Sequence, residues 1–377
     1  MIVTAFLLSF ATSFVFVFYI VHYFTSFTLF PFSFYFHCFP LLCSTTFYTS
    51  AFAMLMPLCL SSKVLIASLV TVSGLIFLIK LKVYNSVGDA NLRFHDINVP
   101  ILQLIPSSTF FHPWVVVTAI FAETSVVMFA VSLAVLYGGG KFIEKFWLPT
   151  QVIQFVLIVG AVTNLVTVLL TIVANLFTSN SAGMDVPLGG GISYYFGFLV
   201  VLKQLIPEHN IVLFQGLINC RVKHLPFVSL IIVSLWSLLI SRSLYPAVPS
   251  LNSFFISFIF LRFYQSSTTD LILPLSSNDS PNILVGDASD TFQLVEFFPA
   301  ITKPYLAVVF SAIYEAAVFL GIVTPFNDDS IEQSNLRAQK RQEISNHPHK
   351  ATANSVAERR RQVALQVIED RINQDSK

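Results

Sequence analysis

The chain has 377 residues, of which 55% are hydrophobic and 11% are charged, and its formal net charge is +1. A soluble domain carries roughly 25% charged residues, so this composition excludes an ordinary soluble protein and indicates a polytopic membrane protein. The near-zero net charge gives no indication of a nucleic-acid partner. The four cysteines, Cys38, Cys43, Cys59 and Cys220, lack paired metal-ligand spacing, so we expect neither a metal nor another cofactor.

The first 62 residues contain no Asp, Glu, Lys or Arg and show no helical or strand period. They are typical of either a signal sequence or one or two additional spans. A third interpretation is a translated pyrimidine-rich leader, because Phe, Ser, Leu and Pro all have codons made only of pyrimidines. In that case the functional start is Met54 or Met56, just before the first cation, Lys63.

Six later segments have the apolar character of membrane spans, which need about 20 residues each. They are Val64–Leu81, Val117–Tyr137, Thr150–Phe177, Gly189–Ile206, Leu225–Ile240 and Val248–Phe263. The predicted organisation is therefore an apolar extension (1–62), an all-α six-helix membrane domain (63–265) and a tail (266–377). In the first loop of this domain, Trp114 lies where an interfacial aromatic residue anchors a membrane protein.

The distribution of cations predicts the orientation of the membrane domain. One side has Lys63, Lys141, Lys145, Lys203, Arg221, Lys223 and Arg262, and the other has Lys80, Lys82, Arg93 and Arg242. Because cytosolic loops are enriched in Lys and Arg, both ends of the domain are expected in the cytosol. The glycosylation sequon at Asn278 should then remain unmodified.

Two side chains in the predicted spans are candidates for chemistry. Glu123 lies near the start of the second span, and a carboxylate inside a membrane is a functional candidate. The simpler interpretation, which we favour, is that Glu123 lies at headgroup depth or caps a neighbouring loop. Ser193 follows Gly189, Gly190 and Gly191 at the start of the fourth span, where it is either a packing hydroxyl or a nucleophile.

The tail has three parts. The apolar stretch Phe297–Phe326 is interrupted by prolines, which favours an interfacial or bundle-docked helix over a seventh span. Residues Asn327–Asn354 have the composition of a disordered segment. The capping box Ser355–Glu358 predicts a final amphipathic helix, which is either solvated or a docking helix for a cytosolic partner or an anionic membrane surface.

Three motifs resemble the rhomboid superfamily of intramembrane serine proteases. His112–Thr118 is similar to the rhomboid first-loop Trp-Arg motif without its arginine, and Gly140 with Glu144 is similar to the Gly-x-x-x-Glu of the second helix. Gly191-Ile192-Ser193-Tyr194 is similar to Gly-x-Ser-Gly, with Tyr in place of the last Gly. The resemblance implies a rhomboid-like bundle of six transmembrane helices.

A closer resemblance, over Lys63–Lys377, is to the eukaryotic transmembrane protein 115 family. The positions that carry it include Glu123, Gly138, Gly139, Glu144, Lys203, Gln204, Pro207, Gly286 and Asp287, while Trp114 and Gly191 belong to the rhomboid-like motifs. It implies a Golgi membrane protein without protease activity that acts in Golgi-to-endoplasmic-reticulum retrograde transport. The cytosolic C-terminus is predicted by the distribution of cations. The implied partners are membrane lipids, transmembrane clients and cytosolic tethering-complex subunits, and a homo-oligomer is left open.

The histidine positions favour a pseudoprotease. A rhomboid protease needs a histidine on its sixth helix to take the proton of the serine hydroxyl, and Val248–Phe263 contains none. Ser193 is then a packing hydroxyl. Two alternatives stay open: an active protease that pairs Ser193 with a non-standard base such as His112, and a small-molecule transporter. The scarcity of buried charge and the lack of broken, repeated helices disfavour the transporter.

Overall fold

The computed structural model describes residues 59–87, 94–178, 181–208, 210–213, 218–241, 243, 245–267 and 284–346. Most of the apolar extension, the sequon at Asn278 and the helix predicted from Ser355 lie outside these residues. The first five helices are α1 (Leu60–Val87), α2 (Pro106–Thr109), α3 (Val115–Thr118), α4 (Val126–Ile143) and α5 (Pro149–Thr178). The next five are α6 (Ile192–Leu205), α7 (Leu225–Trp236), α8 (Ala247–Ile259), α9 (Lys303–Phe319) and α10 (Asp328–Asn346).

Short turns extend or connect these helices. The π-helical turns Ser237–Ser241 and Phe260–Tyr264 follow α7 and α8, and 3-10 turns lie at Phe94–Asp96, Ala119–Phe121, Ser181–Met184, Val222–His224, Asp290–Phe292 and Leu294–Phe297. Two small antiparallel pairs, β1 (Asn210–Leu213) with β2 (Ile218–Arg221) and β3 (Ser266–Ser267) with β4 (Leu284–Val285), are the departure from the all-α prediction. The β3–β4 pair brings the chain after residue 283 back to the end of α8.

Five helical segments of the described chain are long and apolar enough to cross a membrane: Leu60–Ser86, Val126–Ile143, Pro149–Phe177, Val222–Ser241 and Ala247–Tyr264. The chain is therefore a mostly helical, multi-pass membrane protein. The predicted fourth span is shorter than expected, because α6 has 14 residues and a length of about 21 Å. It begins only at Ile192, since Gly189 and Gly190 have φ angles of 116° and 93°, which belong to a turn.

The predicted second span, Val117–Tyr137, is wrong in its bounds. The apolar pattern is continuous there, but Ala122 and Ser125 have non-helical backbone angles and separate α3 and its 3-10 turn from α4. Glu123 therefore lies in a loop. Gly138, Gly139 and Gly140, which follow the predicted span, lie inside α4. A Cβ on Gly139 would meet the Phe198 ring, and one on Gly140 would meet the Ser62 hydroxyl. The missing side chains of Gly139 and Gly140 therefore serve close helix packing.

The centre of the bundle is formed by α5, α6 and α8. These helices pack against each other, while α4 and α7 are mostly exposed on their outer faces. Phe155 of α5 contributes a ring that lies 6.4 Å from the Phe198 ring of α6 and 5.8 Å from the Phe260 ring after α8. Dense aromatic packing of this kind holds the short helix α6 inside the bundle.

The segment Asp328–Asn346 is helical, which contradicts the prediction of disorder for this part of Asn327–Asn354. Residues 347–354 lie outside the described residues. Asp328 and Asp329 lie in the first turn of α10, where acidic side chains favour the helix dipole. Composition alone gave the wrong result because α10 is stabilised by polar contacts with the rest of the protein. Its buried stripe consists of Ser334 and Ala338, which are 2% and 6% exposed and four residues apart.

Candidate functional site

Two polar clusters lie at opposite ends of α6, and the first surrounds the glycine turn that precedes this helix. The Gly190 amide donates a 2.8 Å hydrogen bond to the Ala119 carbonyl oxygen. The Tyr245 hydroxyl donates a 2.6 Å hydrogen bond to the Gly189 carbonyl oxygen. Positive φ angles, which glycine adopts without strain, turn these backbone groups towards their partners. The turn therefore joins the loop before α4 to the loop before α8.

Glu123 is the acceptor at the centre of this first cluster. Its Oε1 atom accepts hydrogen bonds from the Gly191 amide at 2.7 Å and from the Ser132 hydroxyl at 2.6 Å. The Tyr195 hydroxyl lies 2.5 Å from the Ser132 hydroxyl and 3.5 Å from the same Oε1. The first amides of a helix lack internal acceptors and carry partial positive charge, so a carboxylate stabilises them. Glu123 therefore caps the start of α6.

Ser193 is 2% exposed and lies in the first turn of α6. Its hydroxyl donates a 3.2 Å hydrogen bond to the carbonyl oxygen of Gly190, three residues earlier. The residue of α8 that reaches Ser193 is Ser253, whose hydroxyl donates to the Ser193 carbonyl oxygen at 2.5 Å. A serine nucleophile needs a neighbouring base that accepts its proton. The hydrogen bonds of Ser193 instead join α6 to α8 and to the glycine turn.

His112 and Trp114 lie together in the loop that precedes α3. The His112 ring meets the Trp114 ring edge-on at 5.1 Å, and its Nδ1 atom lies 3.3 Å from the Ser108 carbonyl oxygen. The Trp114 indole nitrogen donates a 3.1 Å hydrogen bond to the Ile101 carbonyl oxygen. This hydrogen bond connects Trp114 to the preceding part of the loop. Because Trp114 is half exposed, its ring also presents an apolar edge to the surroundings.

The second cluster is centred on Asp287, in a segment that we name the acidic loop (Gly286–Asp290). Its Oδ2 atom accepts hydrogen bonds from Gln204 Nε2 at 2.8 Å and from Arg341 Nη2 at 3.0 Å. Its Oδ1 atom accepts one from the Ser289 amide at 3.1 Å. Burial opposes ionisation of this carboxyl, but Arg341 and the hydrogen bonds from Ser289 and Gln204 outweigh it and lower the pKa of Asp287. Asp287 is therefore a charged anchor between α6 and α10.

Arg262, from the turn that follows α8, holds the backbone of the acidic loop. Its Nη1 atom donates to the carbonyl oxygens of Asp287 and Ser289, at 2.7 Å and 2.8 Å. Gly286 has a φ angle of 83°, and a Cβ atom at this position would overlap the Arg262 carbonyl oxygen. Glycine is thus required both by the backbone conformation and by the close approach.

Helix α10 completes the second cluster. The Ala288 amide donates to the Ser334 hydroxyl at 3.2 Å, and the Asp290 amide donates to the Asn335 side-chain oxygen at 2.9 Å. The cavity beside Asp287 has a volume of about 10 Å³, which is room for a single water molecule at most. This cluster therefore acts as a clamp that joins α6, α8 and α10, and it is too small to admit a substrate or cofactor.

Lys203 lies next to this clamp and is 1% exposed. Its ammonium nitrogen lies 3.3 Å from the centroid of the Phe297 ring, and among the described residues it has no hydrogen-bond acceptor. The Nζ atom thus packs against the face of the Phe297 ring. Phe297 in turn contacts the rings of Phe254, Phe258 and Phe292. Lys203 therefore fixes the segment after the acidic loop onto α6 and α8.

The other residues that were selected from the sequence lie outside the two polar clusters. Glu144 accepts a 2.6 Å hydrogen bond from the Ser61 amide and so caps the start of α1. Pro207 is buried just after α6, and the extended φ of −139° at Ile206 ends the helix before it. A Cβ atom on Gly138 would meet nothing within 4 Å, so the structure gives no packing reason for this glycine.

The structure unites residues that the sequence presented as separate motifs. Gln204 and Asp287, 83 residues apart, form one hydrogen bond, and Glu123 and Gly191, 68 residues apart, form another. Sequence reasoning missed the partners Ser132, Tyr195, Ser289 and Arg341, and it used Arg262 only as a cation that predicts the orientation of the domain. The one signal for α10 was the spacing of Ser334, Ala338 and Arg341, which places these residues on one helical face. No group of described His, Cys, Asp and Glu side chains could hold a metal ion.

Comparisons with known proteins agree with this architecture. Residues 63–374 match the family described as eukaryotic integral membrane protein (DUF1751). The chain is 31% identical over 328 residues to the transmembrane protein 115 homolog of Saccharomyces cerevisiae, covering 83% of this chain and 92% of that protein. It is 28% identical over 222 residues to rhomboid-like protein 19 of Arabidopsis thaliana, covering 58% of this chain and 67% of that protein.

A third relative is transmembrane protein 115 of Mus musculus, which is 24% identical over 261 residues, covering 69% of this chain and 67% of that protein. No solved structure matches the chain. The helical bundle and the matched family together define a multi-pass integral membrane protein of the rhomboid-like class. Within that class, the chain belongs to the eukaryotic transmembrane protein 115 family, which confirms the resemblance found in its motifs.

Proposed function

We propose that this protein is a non-catalytic, rhomboid-like scaffold of the Golgi membrane that acts in Golgi-to-endoplasmic-reticulum retrograde transport. In this proposal, α6 also crosses the membrane, as the fourth of six spans, and the tail is cytosolic. The bundle binds transmembrane clients, and the tail binds subunits of a tethering complex. The observation that carries the non-catalytic part is the hydrogen bond from the Ser193 hydroxyl to the Gly190 carbonyl, in a residue that is 2% exposed.

The alternative is an intramembrane protease that uses Ser193. Such an enzyme needs a base beside the hydroxyl, since serine at its free pKa is a poor nucleophile. The side chain that α8 brings to Ser193 is the hydroxyl of Ser253, which is no base near neutral pH. The Ser193 hydroxyl and its own backbone carbonyl are instead used for packing between α6, α8 and the glycine turn.

A fluorophosphonate probe for activated serines separates the two functions. The wild type and Ser193→Ala are labelled in native membranes, beside a rhomboid protease that reacts with the probe. A scaffold gives no labelling in either form. Labelling of the wild type that disappears in Ser193→Ala establishes an activated serine and replaces the scaffold proposal with the protease. His112 is then the next residue to change.

The proposed topology has an independent test. With a C-terminal epitope tag, antibody should reach the tail after the plasma membrane alone is permeabilised, while a lumenal marker stays protected. The signal should coincide with a Golgi marker. Glycosylation at Asn278, or a tag that is reached only after the internal membranes are opened, contradicts a cytosolic tail.

The role of the tail in binding soluble partners is tested by removing it. A chain that ends at Phe326 loses α10 and everything after it but keeps the predicted spans. Tethering-complex subunits should copurify with the full chain and not with the truncated chain. Because loss of α10 exposes the acidic loop, a second variant should be cut at Asn346, which leaves the clamp intact. Full retention of these subunits by both truncated chains contradicts the proposal.

A further inference from the structure

The helix α9 is apolar on two opposite faces. Its inner face is buried at Phe310 and Ala317, which are each 8% exposed. Its outer face carries Tyr305, Val308 and Phe319, which are 78%, 70% and 90% exposed. The spacings between these outer residues are close to whole numbers of helical turns of 3.6 residues, so the three side chains lie along one side of the helix. A helix that is apolar on both faces is not stable with one of them in water.

The inner face of α9 contacts one end of the bundle through aromatic rings. The Phe310 ring lies 5.8 Å from Phe298, which lies 5.1 Å from Phe227 in the first turn of α7. The Tyr314 ring stacks at 6.3 Å on Phe263, in the turn that follows α8. Because α7 and α8 are consecutive and antiparallel, the start of α7 and the end of α8 lie at the same end of the bundle. The middle of α9 therefore lies beside that end of the bundle.

The exposed apolar surface stops where α9 stops. Gly321, with a φ angle of 68°, ends the helix just after Phe319 and Leu320. The next helix, α10, contains seven charged residues: Asp328, Asp329, Glu332, Arg337, Lys340, Arg341 and Glu343. At the start of α9, Lys303 forms a 2.7 Å ion pair with Glu296. Ser311 and Glu315 are exposed three and seven residues after Val308, so polar groups border the apolar outer residues. An exposed apolar stripe beside polar groups, bounded by charged segments, is compatible with a helix that lies in a membrane interface.

We propose that the outer face of α9 is covered by lipid, so that α9 is an in-plane anchor at the boundary between headgroups and acyl chains. The leaflet is the one at which α7 begins and α8 ends. Lipid is the occupant because α7, which begins beside the Phe298 contact, itself exposes Ile231, Ile232 and Leu235 along a membrane-spanning helix. The lipid-facing surface of the bundle thus continues onto α9.

This anchor has a consequence for the tail. An interfacial helix lies about 5–10 Å deep in the headgroup and acyl boundary. With α9 held at that depth and α10 tied to the acidic loop through Arg341 and Asn335, the chain from Gly321 onward leaves from the membrane surface. Partners of the tail would then meet it beside the lipid headgroups.

Nitroxide labelling of the full chain in lipid nanodiscs tests the proposal. The label is placed at Val308→Cys on the outer face of α9, and at Leu336→Cys on α10, where Leu336 is 49% exposed. The native cysteines are replaced by serine in both variants. Molecular oxygen concentrates in lipid, and a nickel chelate stays in water. The label at Val308 should collide several-fold more often with oxygen than with nickel, and the label at Leu336 should show the reverse.

Two results would overturn the anchor. Equal nickel accessibility at both positions means that the outer face of α9 is in water. Protection of the Val308 label from both oxygen and nickel means that a second copy or another protein covers it. A second label at Phe319→Cys repeats the measurement at the far end of α9, so that the conclusion does not depend on one substitution.

Discussion

The carboxylate of Glu123 accepts a 2.7 Å hydrogen bond from the amide of Gly191, at the point where the glycine turn enters α6. The same oxygen accepts from Ser132 of α4. One side chain thus satisfies a helix-start amide and a hydroxyl from a different helix. The cap explains how α6, with only 14 residues, keeps its position in the centre of the bundle.

Removal of this cap should destabilise the protein. Glu123→Ala leaves the Gly191 amide and the Ser132 hydroxyl without their acceptor, which costs about 1–3 kcal/mol. Glu123→Gln keeps an acceptor oxygen and should cost less. In detergent, the unfolding temperature should therefore be highest for the wild type, lower for Glu123→Gln and lowest for Glu123→Ala. Glu208→Ala, which changes an exposed carboxylate, is the control. An Ala variant as stable as this control would rule out the capping role.

Neighbouring glycines of α4 should respond in opposite directions to alanine. Gly138→Ala meets open space and improves helix propensity, so it should stabilise the protein by about 0.5–1 kcal/mol. In Gly139→Ala the new Cβ would lie 2.7 Å from the Phe198 ring, so it should lower the unfolding temperature. The two variants differ by one position in the same helix. Equal shifts in unfolding temperature would contradict the close contact of α4 with α6.

Two glycines with a left-handed backbone conformation form a second matched pair for substitution. Gly286 and Gly321 have φ angles of 83° and 68°, but only a Cβ on Gly286 meets a neighbour, the Arg262 carbonyl oxygen. Gly321→Ala should therefore show the backbone strain alone, about 1–2 kcal/mol. Gly286→Ala should show that strain and a displaced acidic loop. Amide exchange of α10 should increase in Gly286→Ala and not in Gly321→Ala. Equal exchange would mean that the loop does not hold α10.

The pair of Asp287 and Arg341 should show strong coupling. Their side chains are 7% and 12% exposed, and loss of one partner leaves the other charge buried and unpaired. We expect Asp287→Asn to weaken docking of α10 by about 3–5 kcal/mol, with Arg341→Gln similar and the double variant less than additive. Amide exchange of residues 328–346 measures the docking. Additive effects would show that the two side chains act independently.

The docking of α10 should be insensitive to mild acid. The pKa of Asp287 in the folded protein lies below the unfolded value of about 3.9. Its stabilising effect is therefore complete above that value and is lost as the pH falls through the lower, folded pKa. Amide exchange of α10, corrected for its intrinsic pH dependence, should be constant from about pH 5 to 8. An increase in corrected exchange between pH 7 and 5 would show that another group controls the clamp.

The sequence by itself determined the class of protein and the spans that correspond to α1, α5, α7 and α8. These features depend on local composition and on uninterrupted apolar length, because a run of about 20 apolar residues is long enough to span a bilayer wherever it occurs in the chain. The family could also be assigned from the motifs, since each motif is read locally.

Only the tertiary structure decided which polar groups meet. Asp287 pairs with Gln204 and Arg341 at separations of 83 and 54 residues, and no local period encodes such a pair. Likewise, the loop at Glu123 interrupts a continuous apolar pattern, and the polar segment Asp328–Asn346 folds where composition predicts disorder. In each case a buried donor or acceptor must be satisfied by a partner, and packing of distant segments determines which partner is within reach.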